Sequence, residues 1–182
     1  MIRLLAVSLA LTALVLTPAH AAHWPAPQAP LIKGASGCVS IPGAAMPVRK
    51  DRVYKAVFNA TMGADKPDQI IPALDMAGSE LNLFAMEGVP IQNARFVVVI
   101  HGAAMQALLD DVHYQTRYHV ANPNLPVIAE MKKNGVRFYV CGQNLAFDDV
   151  DPKTLTPLVT VADDALIALM TFGGEGYIIL SF

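Results

Sequence analysis

The sequence predicts an α/β fold: a three-layer α/β/α sandwich with a mostly parallel sheet. Three observations lead there. Apolar strand-like runs alternate with helix-like stretches along the chain, the pattern of βαβ units. The run Phe96-Val97-Val98-Val99-Ile100 contains no polar residue, as expected of a strand covered on both faces. The chain has 182 residues, of which 54% are hydrophobic, which is room for one domain with a strong core plus a short appendage.

Composition removes several other classes. A formal net charge of -2 offers no basic footprint for nucleic acid. The apolar fraction is too high for a disordered chain, and no fixed-period repeat supports a solenoid or collagen reading. Two cysteines are too few for a disulfide-framework miniprotein or a four-Cys zinc module.

Residues 1–21 read as a signal peptide. Arg3 supplies the positive start, Leu4 to Leu16 is an apolar run broken by Ser8 and Thr12, and Ala19-His20-Ala21 has the small-x-small form that signal peptidase reads. The run is too short to span a hydrocarbon core of about 30 Å as a helix, and no second long apolar segment follows. The expectation is a periplasmic protein, cleaved after about Ala21, with no membrane span. A lipoprotein reading of Ala35-Ser36-Gly37-Cys38 is weaker, because Cys38 lies far beyond Leu16 and Ala35 replaces the usual large apolar residue.

Residues 22–50 form an irregular arm rich in Pro, Ala and Gly, including Pro25, Pro27, Pro30, Gly34 and Gly37. Neither a helix nor a central strand suits that composition. The arm either wraps the domain or reaches a neighbouring subunit, or it is a disordered leader.

The domain itself is expected over residues 51–182. Val53 to Ala60 is β-rich and makes the first strand. Asp65-Lys66-Pro67-Asp68 carries helix-start chemistry, and Ile70, Leu74, Ala77, Leu81 and Phe84 then recur at helical spacing up to Gly88. Phe96 to Ile100 is the second strand, and Ala103 to Leu109 looks helical. Asn122-Pro123-Asn124 is a turn and cap before a helix that Gly135 closes. Val136 to Val140 and the shorter Leu158 to Val161 are further strands. Asp163 and Asp164 open an apolar helix to about Phe172, and Tyr177 to Ser181 makes the last strand.

In an open parallel sheet, ligands bind beyond the carboxyl ends of the strands. Three predicted strand ends carry polar residues: Asn59 and Thr61, His101-Gly102, and Cys141-Gly142-Gln143-Asn144. A thiol, an imidazole and several amides thus converge on one edge, and backbone N–H groups after Gly102 would favour an anion or thiolate there. Each residue also has a plain structural reading, Cys141 as a small buried hydrophobe and His101 as a satisfied histidine. His101, His113 and His119 match no standard ligand spacing, so no metal and no cofactor are expected. No Gly-x-Ser-x-Gly elbow, Walker loop or Gly-x-Gly-x-x-Gly sequence occurs, which removes the main support for serine hydrolase and nucleotide readings.

The run Val98-Val99-Ile100-His101-Gly102, then Asn122-Pro123-Asn124, Gly135-Val136, Val140-Cys141-Gly142-Gln143 and Gly176-Tyr177, resembles the DsrE/DsrF-like family, in its exported single-domain branch. The resemblance spans about Val53 to Phe182. It implies a three-layer fold and homo-trimers or hexamers. In cytoplasmic sulfur-relay members a cysteine carries persulfide sulfur between proteins, and Cys141 matches that position. Two functions follow as expectations. One is a sulfur-handling or thiol-redox protein with Cys141 as carrier, exchanging sulfur with a donor or acceptor protein, and with His101, Gly102, Asn122 and Gln143 around it. The other is a non-catalytic oligomeric module that binds a small ligand or a partner protein in the same crevice.

Self-association is expected on the residues as well, because Tyr177 to Phe182 and Ala165 to Met170 are more apolar than a monomer readily hides. Cys38 and Cys141 are the only thiols, so an exported chain has two options. They form a structural disulfide closing a loop of about 100 residues, or Cys141 stays free or reversibly oxidised with Cys38 at most a resolving redox partner.

Overall fold

The computed structural model describes residues 24–182, so the expected signal peptide lies outside the described residues. The sheet is five-stranded and parallel throughout, in the order β4-β3-β2-β1-β5. Its strands are β1 (Tyr54–Ala60), β2 (Ala94–Ile100), β3 (Arg137–Cys141), β4 (Thr160–Ala162) and β5 (Ile178–Ser181). The helices are α1 (Pro72–Met86), α2 (Asp111–Tyr118), α3 (Asn124–Lys133), α4 (Gly142–Phe147) and α5 (Ala165–Gly174). The expected α/β/α layering is therefore present, with a sheet that is parallel without exception.

Local chemistry explains the element ends. Pro72 opens α1 at a position whose N–H needs no partner, and Gly88 beyond its end has φ +69°, a conformation glycine adopts without a Cβ penalty. The expected start of this helix at residues 65–68 is instead a turn, because the run before Pro72 is held by Asn124, whose Oδ1 accepts from the Ile71 N–H at 2.9 Å. The stretch after Gly102 is a 3₁₀ helix, Gly102–Leu108, and α2 follows it with Asp110 as cap, its carboxylate accepting from the His113 N–H. Sequence periodicity did not reveal α2, since only Tyr114 of its residues is buried.

The chain order dictates which side each helix takes. Strands β1 to β4 step one way across the sheet, so right-handed crossovers place α1 and α3 on one face. The return from β4 to β5 crosses back over β3, β2 and β1, which sends α5 to the opposite face. Burial follows this division. Phe58, Val98, Ile100 and Val140 pack with Leu74, Leu81, Ile128 and Met131 in the larger cluster. Val57, Val97, Val99 and Cys141 pack with Ala165, Ala168, Leu169 and Phe172 in the smaller one.

The arm belongs to the larger cluster. Ile32 is fully buried, and the side chain of Asn82 on α1 fastens it. Asn82 Oδ1 accepts from the N–H groups of Leu31 and Ile32 at 3.0 and 2.8 Å, and its Nδ2 donates to the carbonyls of Ile32 and Ser36. A buried amide that meets four backbone groups serves an irregular segment as a substitute for secondary structure. Gly78 lets the arm come this close, since a Cβ there would stand 2.4 Å from that of Ala35.

Candidate functional site

Alternation along the strands brings the chemistry together. Val57, Val97, Val99 and Cys141 share the α5 face, so Asn59 and His101, each two residues further along, point the same way. Asn59 is in register with Ser181 of β5, which puts that hydroxyl on this face too. Helix α5 follows β4 directly and therefore starts at the same carboxyl edge, with Asp164 as its cap. Four adjacent strand ends and one helix start thus deliver Ser181, Asn59, His101, Cys141 and Asp164 to one place.

The contacts form two linked pieces. Cys141 is 4% exposed, and its thiol faces the Asp164 carboxylate, with Sγ 3.7 Å from Oδ1. The same Oδ1 accepts from the Leu166 N–H at 2.9 Å, so the cap fixes the carboxylate beside the thiol. Along the edge, His101 Nε2 donates to Asn59 Oδ1 at 2.7 Å, and Asn59 Nδ2 donates to Ser181 Oγ at 3.1 Å. With Nε2 carrying the hydrogen, Nδ1 is the ring nitrogen that takes up a proton. Burial pushes the His101 pKa down, and the negative charge of Asp164 opposes that shift. His101 is therefore a neutral base at neutral pH within electrostatic reach of the carboxylate beside Cys141.

The other expected site residues fall differently. Gly102 has φ +58° and gives its N–H to Asn144 Oδ1 at 3.2 Å, so that donor is engaged and does not await an anion. Gln143 is exposed on α4 and donates to the Asp163 carbonyl at 3.4 Å. Asn122, expected in the crevice, is 3% exposed and serves the scaffold. Its Nδ2 donates to the carbonyls of Ala107 and Leu109, and its Oδ1 accepts from the N–H and Nδ2 of Asn124. With every polar atom of its amide paired inside the protein, it has none left for a ligand.

Cys38 is also placed away from the site. Its Sγ lies 3.2 Å from the Ser79 carbonyl and 3.1 Å from Ser79 Oγ, against α1. That is the face opposite Cys141, with the sheet between them, and both cysteines are free. Cys38 is thus not an intramolecular redox partner in this arrangement, because disulfide geometry requires Cα atoms within about 7 Å.

Asp164 and Ser181 are the members that sequence reasoning did not pick out. Asp164 was legible as a helix cap, and the step from there is topological: a helix that follows a parallel strand begins at the carboxyl edge. A cavity of about 400 Å³ adjoins Gly102 along this edge, walled by Met105, Gln106, Arg117, Leu145 and Asp148. It lies beside the Cys141 cluster and does not include the thiol. Among the described residues no group of three or more His, Cys, Asp or Glu converges as a metal site would require. None of the described helices is long and apolar enough to cross a membrane.

The model of the DsrE/DsrF-like family matches residues 55–182. The chain belongs to this family. The match covers the whole sheet apart from the first residue of β1, and with it every residue of the edge site. Among solved structures, the chain is similar to MTH1491, a protein of unknown function from Methanobacterium thermoautotrophicum, at 20% identity and a TM-score of 0.52. The similarity covers 71% of this chain and 99% of that one, and it supports the fold. No curated protein matches the chain.

Proposed function

We propose that the chain is a periplasmic sulfur-handling protein in which Cys141 carries sulfane sulfur as a persulfide. The observation that carries this reading is the Cys141 thiol at 3.7 Å from a carboxylate fixed by its own helix cap, at the carboxyl edge of a parallel sheet. Membership of a family associated with sulfur relay supports it. In the step we propose, the thiol gives its proton to Asp164 and the sulfur attacks the outer sulfur of a donor persulfide. A new S–S bond forms at Cys141 as the donor's S–S bond breaks. The donor leaves as a thiolate and is protonated, so no external oxidant or reductant is required. Asp164 is neutral at the moment of attack, which removes its repulsion of the thiolate. His101, held by Asn59, is the second group able to take or return a proton at this edge.

The chain works as a homo-oligomer, a trimer or hexamer, in this proposal. Leu166, Ile167 and Met170 are 59, 53 and 63% exposed on the outer side of α5, an apolar stripe beside the site that association would cover. The second reading, a non-catalytic module, is favoured by the 4% exposure of Cys141, which limits access to its sulfur.

The test is incubation of the purified mature chain with glutathione persulfide, followed by mass mapping of the modified thiol. Loading of Cys141 that survives Cys38→Ser and disappears in Cys141→Ser supports the carrier. No loading of Cys141, together with slow alkylation by a maleimide, leaves the non-catalytic module as the function.

A further inference from the structure

The amino-terminal edge of the sheet, opposite the edge that carries Cys141, collects positive charge. Lys55 and Arg95 are register partners on β1 and β2, and each stands two residues before a valine of the α5 face, Val57 and Val97. Arg137 opens β3 in register with Val97 and so lies on the same face. Three adjacent strands thus bring a cation to one face near their starts, where neighbouring strands are only about 4.8 Å apart. Like charges at that spacing oppose strand pairing.

Helix α5 accounts for part of this charge. Its carboxyl end reaches the same edge, where Lys55 Nζ donates to the Glu175 carbonyl at 2.9 Å and Arg137 donates to Tyr177 Oη at 2.7 Å. The Arg137 guanidinium also lies 4.7 Å from the Phe172 ring centre. Cations suit the negative end of a helix dipole. Arg95 and Lys133 have no such explanation. Both are exposed, and neither joins the ion pairs found among the described residues, Arg49 with Asp51 and Asp110 with His113. Lys133 is the last residue of α3, which ends at this edge because it leads into β3.

Together with Arg137 they line a cleft of about 630 Å³, whose other walls include Ile91, Phe96 and Tyr177. That volume is within the range of small-molecule sites. No lining residue is acidic, and Glu175, the nearest acid along the chain, does not line it. Lys55, 5.4 Å from the Tyr177 ring centre, adds to the same positive potential. Three cations without an acid call for more than one negative charge, and the apolar walls call for a carbon body.

We propose that this cleft binds a small organic dianion of the phosphate-monoester type, its head between Arg95, Lys133 and Arg137 and its apolar body against Ile91 and Tyr177. Arg137 is held by Tyr177 before a ligand arrives, and a guanidinium pairs with oxyanions bidentately. The site stands apart from sulfur chemistry, since Arg137 and Cys141 are the two ends of β3.

The experiment is an NMR titration of the mature chain with phenyl phosphate at about pH 8, where a phosphate monoester carries close to two negative charges. Phenol and inorganic phosphate are titrated in parallel, and the Ile91 methyl and Tyr177 ring signals are read. Phenyl phosphate should bind saturably with a Kd below about 1 mM, and each fragment about tenfold more weakly. Arg95→Gln and Lys133→Gln should each weaken phenyl phosphate about fivefold. Lys153→Gln, which removes a cation outside the cleft, should change its binding by less than about 1.5-fold. The proposal is overturned if these signals do not respond at about 10 mM phenyl phosphate, or if either fragment binds as tightly as the whole. It also fails if Lys153→Gln weakens binding as much as Arg95→Gln, which would make the effect one of overall charge.

Discussion

The two faces of the sheet are built to different standards. On the α1 side, two helices and an irregular arm cover the strands, and the fully buried residues include Phe58, Leu74, Leu81, Ile128 and Ile32. On the other side α5 alone lies over β1, β2 and β3, and its buried residues Ala165, Ala168, Leu169 and Phe172 retain 2 to 8% exposure. Every group proposed for sulfur chemistry is on the thin side, as are the exposed Leu166, Ile167 and Met170. A carrier thiol has to meet a partner, and a face under one helix is easier to open than one sealed by two helices and a strap. In the proposed reading, stability and reactivity are divided between faces.

The largest expected effect tests this division directly. Leu81→Ala, in the thick layer at 0% exposure, should cost about 3 to 4 kcal/mol, because the surrounding α1, β2 and arm contacts cannot collapse into the space. Leu169→Ala, at 8% exposure beneath one helix that can settle toward the sheet, should cost about half as much. Chemical denaturation of both variants checks the ratio. Equal losses would show that the faces are equally well packed and that the contrast in cover has no energetic meaning.

The same contrast explains what could be read from the sequence. The apolar runs of β1, β2 and β3 are long and rich in Val, Ile and Phe, so burial on both sides and the parallel sheet were legible. Helix α1 was legible through its spacing, with its start moved to Pro72 by tertiary hydrogen bonding at Ile71. Helix α2 was hidden because it rests on the surface through Tyr114 alone. Helix α4 was hidden because Gly142-Gln143-Asn144 reads as a loop, and its six residues need β3 to hold their first turn. For the site, strand ends gave Asn59, His101 and Cys141. Distinguishing Asn122 from them was not possible by composition, since a ligand-binding amide and a latch that pairs Ala107, Leu109 and Asn124 look the same in one dimension. Cys38 and Cys141 fell on opposite faces for a reason of topology, the crossing of α5, that spacing along the chain does not express.

A middle-sized effect separates the two jobs of Asp164, cap of α5 and neighbour of the thiol. Asn caps a helix about as well as Asp, so Asp164→Asn should leave stability within about 0.5 kcal/mol, whereas Asp164→Ala should cost about 1 kcal/mol. Both substitutions remove the proton acceptor from Cys141. Persulfide loading and alkylation at neutral pH should therefore slow by about tenfold or more in both, independent of the stability change. Faster alkylation in Asp164→Asn would mean that the carboxylate had been restraining the thiolate by charge, and the proton-acceptor role would be lost.

The smallest effect concerns His101 and has a definite sign. Its pKa in the folded protein lies below the ordinary value of 6.5 because burial disfavours the imidazolium, while Asp164 works in the opposite direction. The unfolded chain therefore binds a proton at higher pH than the folded one, and stability rises with pH across this interval. Above about pH 6.5 the contribution is complete, and it is lost as pH falls through the folded value. Replacing His101 by Gln, which still donates to Asn59, should flatten that part of the stability profile and leave the neutral-pH value nearly unchanged. Asp164→Asn should push the His101 pKa further down, because it removes the charge that holds it up. An NMR titration of the His101 ring in wild type and Asp164→Asn reads this directly. An unchanged pKa in the variant would show that Asp164 and His101 do not sense each other, and that the thiol–carboxylate pair and the histidine–amide chain are separate features sharing an edge.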